Sequence, residues 1–264
     1  MAVRLDGAVV VITGAGSGVG RSTAQECARR GARVVVFDRD GDRAAATAAT
    51  IGDAAVAVTG DVTSTADLEA ARDAALTRFG PVDVVMNNVA VLDVGRVEDI
   101  PLEAWQRAIE INLLSIVRSN LVFLPDLLAR GSGHVVNTAS TAGLLPYGQD
   151  RLPYTTTKHA VVGLTEALFL QLRPQGVGVS LFCPAGMRTN IVEQMTFHGE
   201  RTTPKGPAFA IVEPEFAAGL VCDAIETDRF LVLTDDSVPA EMRALADDPD
   251  AYLRRSLDGT GADR

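Results

Sequence analysis

Lysine is almost missing from this chain: of its 24 basic side chains only Lys158 and Lys205 are lysines, and the rest are arginines. A surface cation is served equally well by arginine, so the lysine in "PYTTTKHA" (153–160) points to work for a compact ammonium with three donors. Cysteine is scarce as well. Cys27, Cys183 and Cys222 are odd in number, far apart in sequence and free of any C-x-x-C pair, which argues against a zinc site or redox motif and fits a reducing cytoplasm. Positive charge is in deficit, with a formal net charge of -10 and a pI near 4.8, so the surface that nucleic acid or an anionic membrane would require is lacking. No apolar run reaches the length of a membrane span. "MAVRLDGAVVVITG" imitates a signal peptide only loosely, because Asp6 and Gly7 interrupt it. The three histidines show no metal-ligand spacing, so no metal is expected. His134 reads as core, His159 lies on a different helical face from Lys158, and His198 falls in a loop expected to meet substrate.

What the chain does have is 264 residues, 47% of them apolar, enough for a full core. Short β-branched runs alternate with helical patterns. "AVVVIT" from Ala8, "RVVVFD" from Arg33, "AVAVTG" from Ala55, "VDVVMNN" from Val82, "HVVNTAS" from His134 and "VGVSLFCP" from Val177 read as buried parallel strands. Between them, "VGRSTAQECARRG" closes at Gly31, "TADLEAARDAALTRFGP" opens behind Ser64, and longer helices run over about 102–130 and 154–173. The alternation predicts an α/β fold, a doubly wound parallel β-sheet with helices on both faces, in a single domain over 1–264. Beyond Pro184 the pattern changes to a loop at about 185–213, then a helix near 216–227, a strand "RFLVLT" and a polar tail.

Ligands of such sheets bind beyond the carboxyl ends of the strands, where strand order reverses. The first loop there is "TGAGSGVG" (13–20), whose glycines permit a tight turn and close approach of a pyrophosphate to helix N-terminal amides. Val19 takes the place of the last glycine of a G-x-G-x-x-G, and no Gly-Lys pair is present to make a P-loop.

In these motifs the chain resembles the short-chain dehydrogenases/reductases: Thr13-Gly14-x-x-x-Gly18-x-Gly20, Asp61-Val62 after the third strand, Asn87-Asn88 after the fourth, Asn112 in the long helix, Ser140 after the fifth and Tyr154-x-x-x-Lys158. The likeness is strong to Thr189 and weaker beyond. It implies an NAD(P)-dependent oxidoreductase with Asn112, Ser140, Tyr154 and Lys158 as the catalytic set. Cofactor contacts are expected from Gly14, Ser17, Gly18, Val19, Gly20, Asp38, Arg39, Asp61, Val62, Asn88, Tyr154, Lys158, Pro184 and Thr189. The physical reason for the pair is plain. A free tyrosine has a pKa near ~10, so at neutral pH its phenolate lies about 4 kcal/mol uphill, and a lysine one helical turn away lowers that gap. Tyr154 then serves as general base or acid, Lys158 also holds the ribose hydroxyls, Ser140 bonds the reacting oxygen, and Asn112 is expected to hold a water leading from Lys158 to solvent. Thr138 and Thr141 are hydroxyls close enough to compete for the part given to Ser140. Departures from the family are Val89-Ala90 where Ala-Gly is usual, Pro184-Ala185-Gly186 where Pro-Gly is usual, and the lack of a glycine-rich segment near the last strand.

Asp38, at the end of the second strand, is placed to accept bonds from the adenosine ribose and to repel a 2'-phosphate, so NAD is expected over NADP, with Arg39 as the opposing influence. Leu144, Leu145 and Tyr147 after Ser140, and Ile191, Met195, Phe197, Phe209 and Ile211 in the late loop, suggest a small-molecule apolar secondary alcohol or carbonyl as substrate. Apolar surface on more than one face of "INLLSIVRSNLVFLPDLL" and "AVVGLTEALFLQL" predicts a homodimer or homotetramer. The alternative is a non-catalytic dinucleotide-binding sensor or scaffold on the same fold.

Overall fold

Seven strands line up in parallel in the order β3-β2-β1-β4-β6-β7-β9, and the hydrophobic pattern of the strands explains why both faces are covered. The computed structural model describes residues 1–146, 148–188, 195–200 and 209–259. In chain order the elements are β1 (Val9–Thr13), α1 (Gly18–Arg29), β2 (Arg33–Asp38), α2 (Gly41–Ile51), β3 (Ala55–Thr59), α3 (Thr65–Arg78), β4 (Val84–Asn87), β5 (Leu92–Val94), α4 (Leu102–Ile109), α5 (Ser115–Arg130), β6 (Gly133–Thr138), α6 (Leu152–Leu172), β7 (Val177–Cys183), β8 (Met195–Phe197), α7 (Pro214–Thr227), β9 (Leu231–Leu233), α8 (Val238–Asp247) and α9 (Pro249–Gly259).

Every residue of β1 is buried, which an alternating strand with one wet face would not allow. Val10 and Ile12 face one way, into a layer with Ala24 and Cys27 of α1 and Val221 and Cys222 of α7. Val9 and Val11 face the other way, toward Leu68, Ala71 and Ala75 of α3 and Val122 and Phe123 of α5. Small residues let α1 and α7 lie close, and Arg30 ties them, donating to Glu26, Asp223 and Glu226 at 2.7 to 2.8 Å. Helix starts follow the expected chemistry: the Ser64 hydroxyl accepts from the Asp67 amide (3.2 Å), and the Asp40 carboxylate accepts from the Arg43 amide (3.1 Å). Gly31, just past α1, takes a left-handed backbone with φ +91°.

The chain leaves β1 for β2 and β3 on one side, then crosses to β4 on the other, so the order reverses between β1 and β4. That junction opens the crevice described below. The run 102–130 is continuous but not uniform: a π-turn at 110–114 separates α4 from α5. By length and composition this run would suit a membrane span, yet its Val122 and Phe123 lie in the core against β1 and β2.

Two expectations are corrected. The segment after β9 is no polar tail; it folds into α8 and α9, because Val238 and Tyr252 bury against Leu145 with Phe209, Met242 and Leu245 beside them. Leu144 and Leu145 consequently pack in this cluster rather than in the crevice. His134, read as core, is buried in β6 between Ser180 Oγ (2.8 Å) and the Met1 carbonyl (3.3 Å), and burial pushes its pKa down to about 4.

Candidate active site

The crevice above the β1–β4 junction has a volume of about 740 Å³ and collects almost every residue singled out in the sequence. Gly14, Ser17, Gly18, Val19, Asp38, Arg39, Asp61, Val62 and Asn88 line one end; Ser140, Tyr154, Lys158 and Pro184 line the other. Thr189, Tyr147 and Ile191 lie outside the described residues.

At the first end the turn between β1 and α1 leaves no room for a side chain at Gly16 or Gly20. Gly14 has φ +66°, and a Cβ on Gly20 would overlap the Gly14 carbonyl oxygen and come within 2.7 Å of Asn88 Nδ2. Val19 borders the crevice yet is almost fully buried in the core layer shared by β1 and α1, so a bulky residue is accepted where many dinucleotide folds have glycine. Ser17 is the N-cap of α1 but makes no side-chain cap, so the first amides of α1 lack a side-chain acceptor at the edge of the crevice. The Asp38 carboxylate reaches back to this loop, accepting from the Gly16 amide (2.8 Å) and from the Asp40 amide (3.0 Å). Asp61 holds its own turn by accepting from the Thr63 amide and hydroxyl, both at 2.8 Å. Asn88 joins the strand ends, its amide donating to Thr13 Oγ1 (3.0 Å) and its Nδ2 to the Thr13 carbonyl (3.3 Å).

At the other end, α6 presents Tyr154 in its first turn and Lys158 one turn on. Lys158 is 1% exposed; its Nζ donates to the Thr138 carbonyl (2.8 Å) and stands 5.6 Å from the centre of the Tyr154 ring. Burial lowers its pKa to about 8. Ser140 follows β6, and its hydroxyl accepts from the Ala142 amide (3.1 Å), capping the short turn 141–143. Of the two competing hydroxyls, Thr141 is fully buried and donates to the Pro184 carbonyl (3.3 Å), while Thr138 and Ser140 both border the crevice.

Asn112 sits in the π-turn, fully buried and behind the crevice wall. Its Oδ1 accepts from the Val91 amide (2.8 Å), and Nδ2 donates to the Val91 carbonyl and to Thr157 Oγ1, each at 3.0 Å. Both side-chain protons are therefore spent on protein partners, and the visible role of Asn112 is to brace the wall at Val91 against α6.

The wall between the two ends is largely apolar: Val89, Val91, Leu92, Ile111, Met195 and Ile211. Met195, Phe209 and Ile211 reach it as expected, whereas Phe197 does not border it. Nor does His198, whose ring turns to Asp93. Sequence reading missed Arg43, which borders the Asp38 end of the crevice from the first turn of α2, and Arg151, the residue before α6. The Asp40 cap next to Arg43 was the available signal for the first; the second carries none.

A crevice at a strand-order reversal, with the glycine loop at one side and a tyrosine–lysine pair at the other, agrees with the arrangement that the resemblance to the short-chain dehydrogenases/reductases implies. The family model for "short chain dehydrogenase" matches residues 8–198, and the chain belongs to that family. It is 36% identical over 245 residues to 1-deoxy-11-beta-hydroxypentalenate dehydrogenase of Streptomyces exfoliatus, covering 90% of this chain and 86% of the relative. It is 32% identical over 236 residues to cyclohexanol dehydrogenase of Acinetobacter sp. (strain SE19), covering 88% and 93%. A short-chain dehydrogenase/reductase from Burkholderia phymatum, solved in complex with NAD, superposes with a TM-score of 0.85 at 33% identity, covering 94% of this chain and 96% of that one.

The buried lysine leaves a thermodynamic signature. Its folded pKa lies below the unfolded value of 10.5, so the folded protein binds fewer protons, and stability rises with pH between about 8 and 10.5. Lys158→Met removes this dependence. In denaturant titrations, the stability of wild type relative to Lys158→Met should therefore improve as pH is raised from 7 to 10.5, by up to about 3 kcal/mol. A difference that does not change with pH would show that Lys158 is not desolvated in the free protein.

Proposed function

We propose that the protein transfers a hydride between NAD(H) and an apolar secondary alcohol or the corresponding ketone. The observation that carries this reading is the convergence of Ser140, Tyr154 and the buried Lys158 on an apolar wall at one end of a crevice whose other end is built for a dinucleotide. The fit of the cofactor rests on the space denied to a side chain at Gly20, the cap-free start of α1, and Asp38 at the end of β2. When bound, NAD supplies the acceptor for the hydride, and NADH the donor.

The protein's own residues handle the proton. Tyr154 takes it from the alcohol oxygen during oxidation and returns it during reduction. The Lys158 ammonium stabilises the phenolate by its charge and offers donors to the ribose hydroxyls, while the Thr138 carbonyl holds it in place. Ser140, which spends a lone pair on the Ala142 amide, keeps its own proton to donate to the substrate oxygen. Leu92, Met195 and Ile211 exclude water and contribute no polar anchor, which suits an apolar substrate. The hydroxypentalenate and cyclohexanol dehydrogenases among the relatives support the same class. In this reading one domain carries the site, Met195, Phe209 and Ile211 face the substrate, and the enzyme works in the cytoplasm on a small molecule alone. Of the segment at about 185–213 proposed as a lid, 189–194 and 201–208 lie outside the described residues.

Tyr154→Phe should abolish turnover of a panel of secondary alcohols, followed by absorbance of the reduced nicotinamide, while NAD still binds. Ser140→Ala should lower kcat by roughly a hundredfold with little change in NAD affinity. Lys158→Met should impair both turnover and binding. Turnover by Tyr154→Phe at the wild-type rate would refute the base, and tight NAD binding without turnover by wild type would favour the sensor reading.

NAD is the cofactor in this reading because a 2'-phosphate would meet the Asp38 carboxylate. A unit charge about 4 Å away at an effective dielectric near 20 costs on the order of 4 kcal/mol before screening. Arg39 and Arg43 border the same end, and Arg43 is already paired with Asp40 at 3.2 Å. With these cations near, the preference in kcat/KM should be about tenfold to a hundredfold, or roughly 1 to 3 kcal/mol. Equal use of NADP would show that the arginines govern the pocket.

Self-association is proposed from Leu121 on α5 and Leu170 on α6, which are 72% and 75% exposed, with Leu114 also reaching solvent. Light scattering at micromolar concentration should give a dimer or tetramer, and Leu121→Glu with Leu170→Glu should shift it to monomer. A wild-type monomer would overturn the assignment.

A further inference from the structure

Behind the substrate wall lies a charged cluster that the chemistry above leaves unused. Strands β5 and β8 form a separate parallel pair, with Leu92 opposite Met195, Asp93 opposite Thr196 and Val94 opposite Phe197. Side chains alternate along each strand, so Leu92 and Met195 border the crevice while Asp93 and Thr196 point to the far side. Asp93 is 0% exposed. One of its oxygens, Oδ1, accepts from Arg107 Nη2 (2.7 Å) and from His198 Nε2 (2.9 Å), while Oδ2 has no partner among the described residues. Arg107 also donates to Thr196 Oγ1 at 3.1 Å.

Two physical facts make this cluster more than local packing. A two-stranded ribbon with three residues in each strand is too small to hold itself together in water. A buried carboxylate, in turn, is tolerated only while its donors stay in place. The donors to Asp93 come from separate parts of the chain: Arg107 belongs to α4, and His198 follows β8. Docking of β8 brings the His198 donor to Asp93 Oδ1, and undocking removes that donor from a buried charge. The fit around it is tight. His198 N donates to the Val94 carbonyl (2.8 Å), a Cβ on Gly95 would come within 2.8 Å of the His198 carbonyl oxygen, and Gly95 N donates to the Asp150 carbonyl (2.7 Å) just before α6.

We propose that Asp93 is a positioning residue for substrate: through Arg107 and His198 it fixes β8 on β5 and thereby sets the place of Met195 in the substrate wall. The assignment rests on the alcohol dehydrogenase reading for its kinetic consequences but not for its structural one. Asp93→Asn and His198→Ala should each raise the substrate KM by about tenfold or more and change NAD affinity by less than about twofold, with kcat much less affected than KM. His198→Gln, whose side-chain N–H can reach the same oxygen, should recover most of the loss. In the ligand-free protein, the backbone amide of residue 198, corrected for its intrinsic rate, should exchange with solvent at least about tenfold faster in His198→Ala than in wild type. If Asp93→Asn does not fold, the His198 pair decides the matter.

Unchanged exchange, or NAD affinity and substrate KM worsening together, would overturn the clamp. Equal loss in His198→Ala and His198→Gln would do the same. If no secondary alcohol is turned over by wild type, the functional reading fails, and the exchange measurement alone settles the role of Asp93.

Discussion

Thr13 carries the junction from which the rest of the site hangs. Its hydroxyl donates to the Met86 carbonyl (3.3 Å) and accepts from the Asn88 amide, and its carbonyl accepts from the Asn88 side chain, so one threonine ties the end of β1 to the end of β4. The glycine loop leaves from one side of this knot and the apolar wall at 89–92 from the other. The wall is then held at Val91 by Asn112, which also donates to Thr157, and Thr157 bonds back to the carbonyls of Pro153 (2.8 Å) and Tyr154 (2.9 Å). The glycine-loop end and the Tyr154–Lys158 end of the crevice therefore share one frame of strand ends and side-chain amides. Such preorganisation matters for a reaction whose geometry must be met within a fraction of an ångström.

Most of this was legible in the sequence because the physics is local. Continuous β-branched runs identify strands covered on both faces, Ser64 and Gly31 mark helix ends, and the four-residue spacing of Tyr154 and Lys158 puts them on one helical face whatever the surroundings. What escaped depends on contacts distant in sequence. Leu144 and Leu145 looked like pocket residues, and only the presence of α8 and α9 buries them elsewhere; those helices were themselves hidden by a charged surface pattern. Asp93 resembles an ordinary loop acid, and nothing near it announces a pairing with His198, 105 residues later. Asn112 was picked out by type, but its brace on Val91 needs the crossing of two segments 21 residues apart.

The site is also a place where the free protein is not at its most stable. Lys158 is stripped of water, and among the described residues Asp93 Oδ2 and Thr138 Oγ1 are buried without a partner. Each of these costs folding free energy. The sheet, covered on one face by α1 and α7 and on the other by α3 and α5, is what allows such groups to be held.

The π-turn at 110–114 separates what keeps the protein folded from what keeps it competent. A π-turn accommodates one residue beyond the α-helical count. A lineage that dropped that residue would regain an ordinary helix, and α4 and α5 would keep their packed faces in nearly the same places. Asn112 would no longer meet Val91 and Thr157. A single in-frame codon loss there would leave a folded descendant with a slack crevice wall, so the crevice should tolerate substitutions along this helix far better than changes in its length.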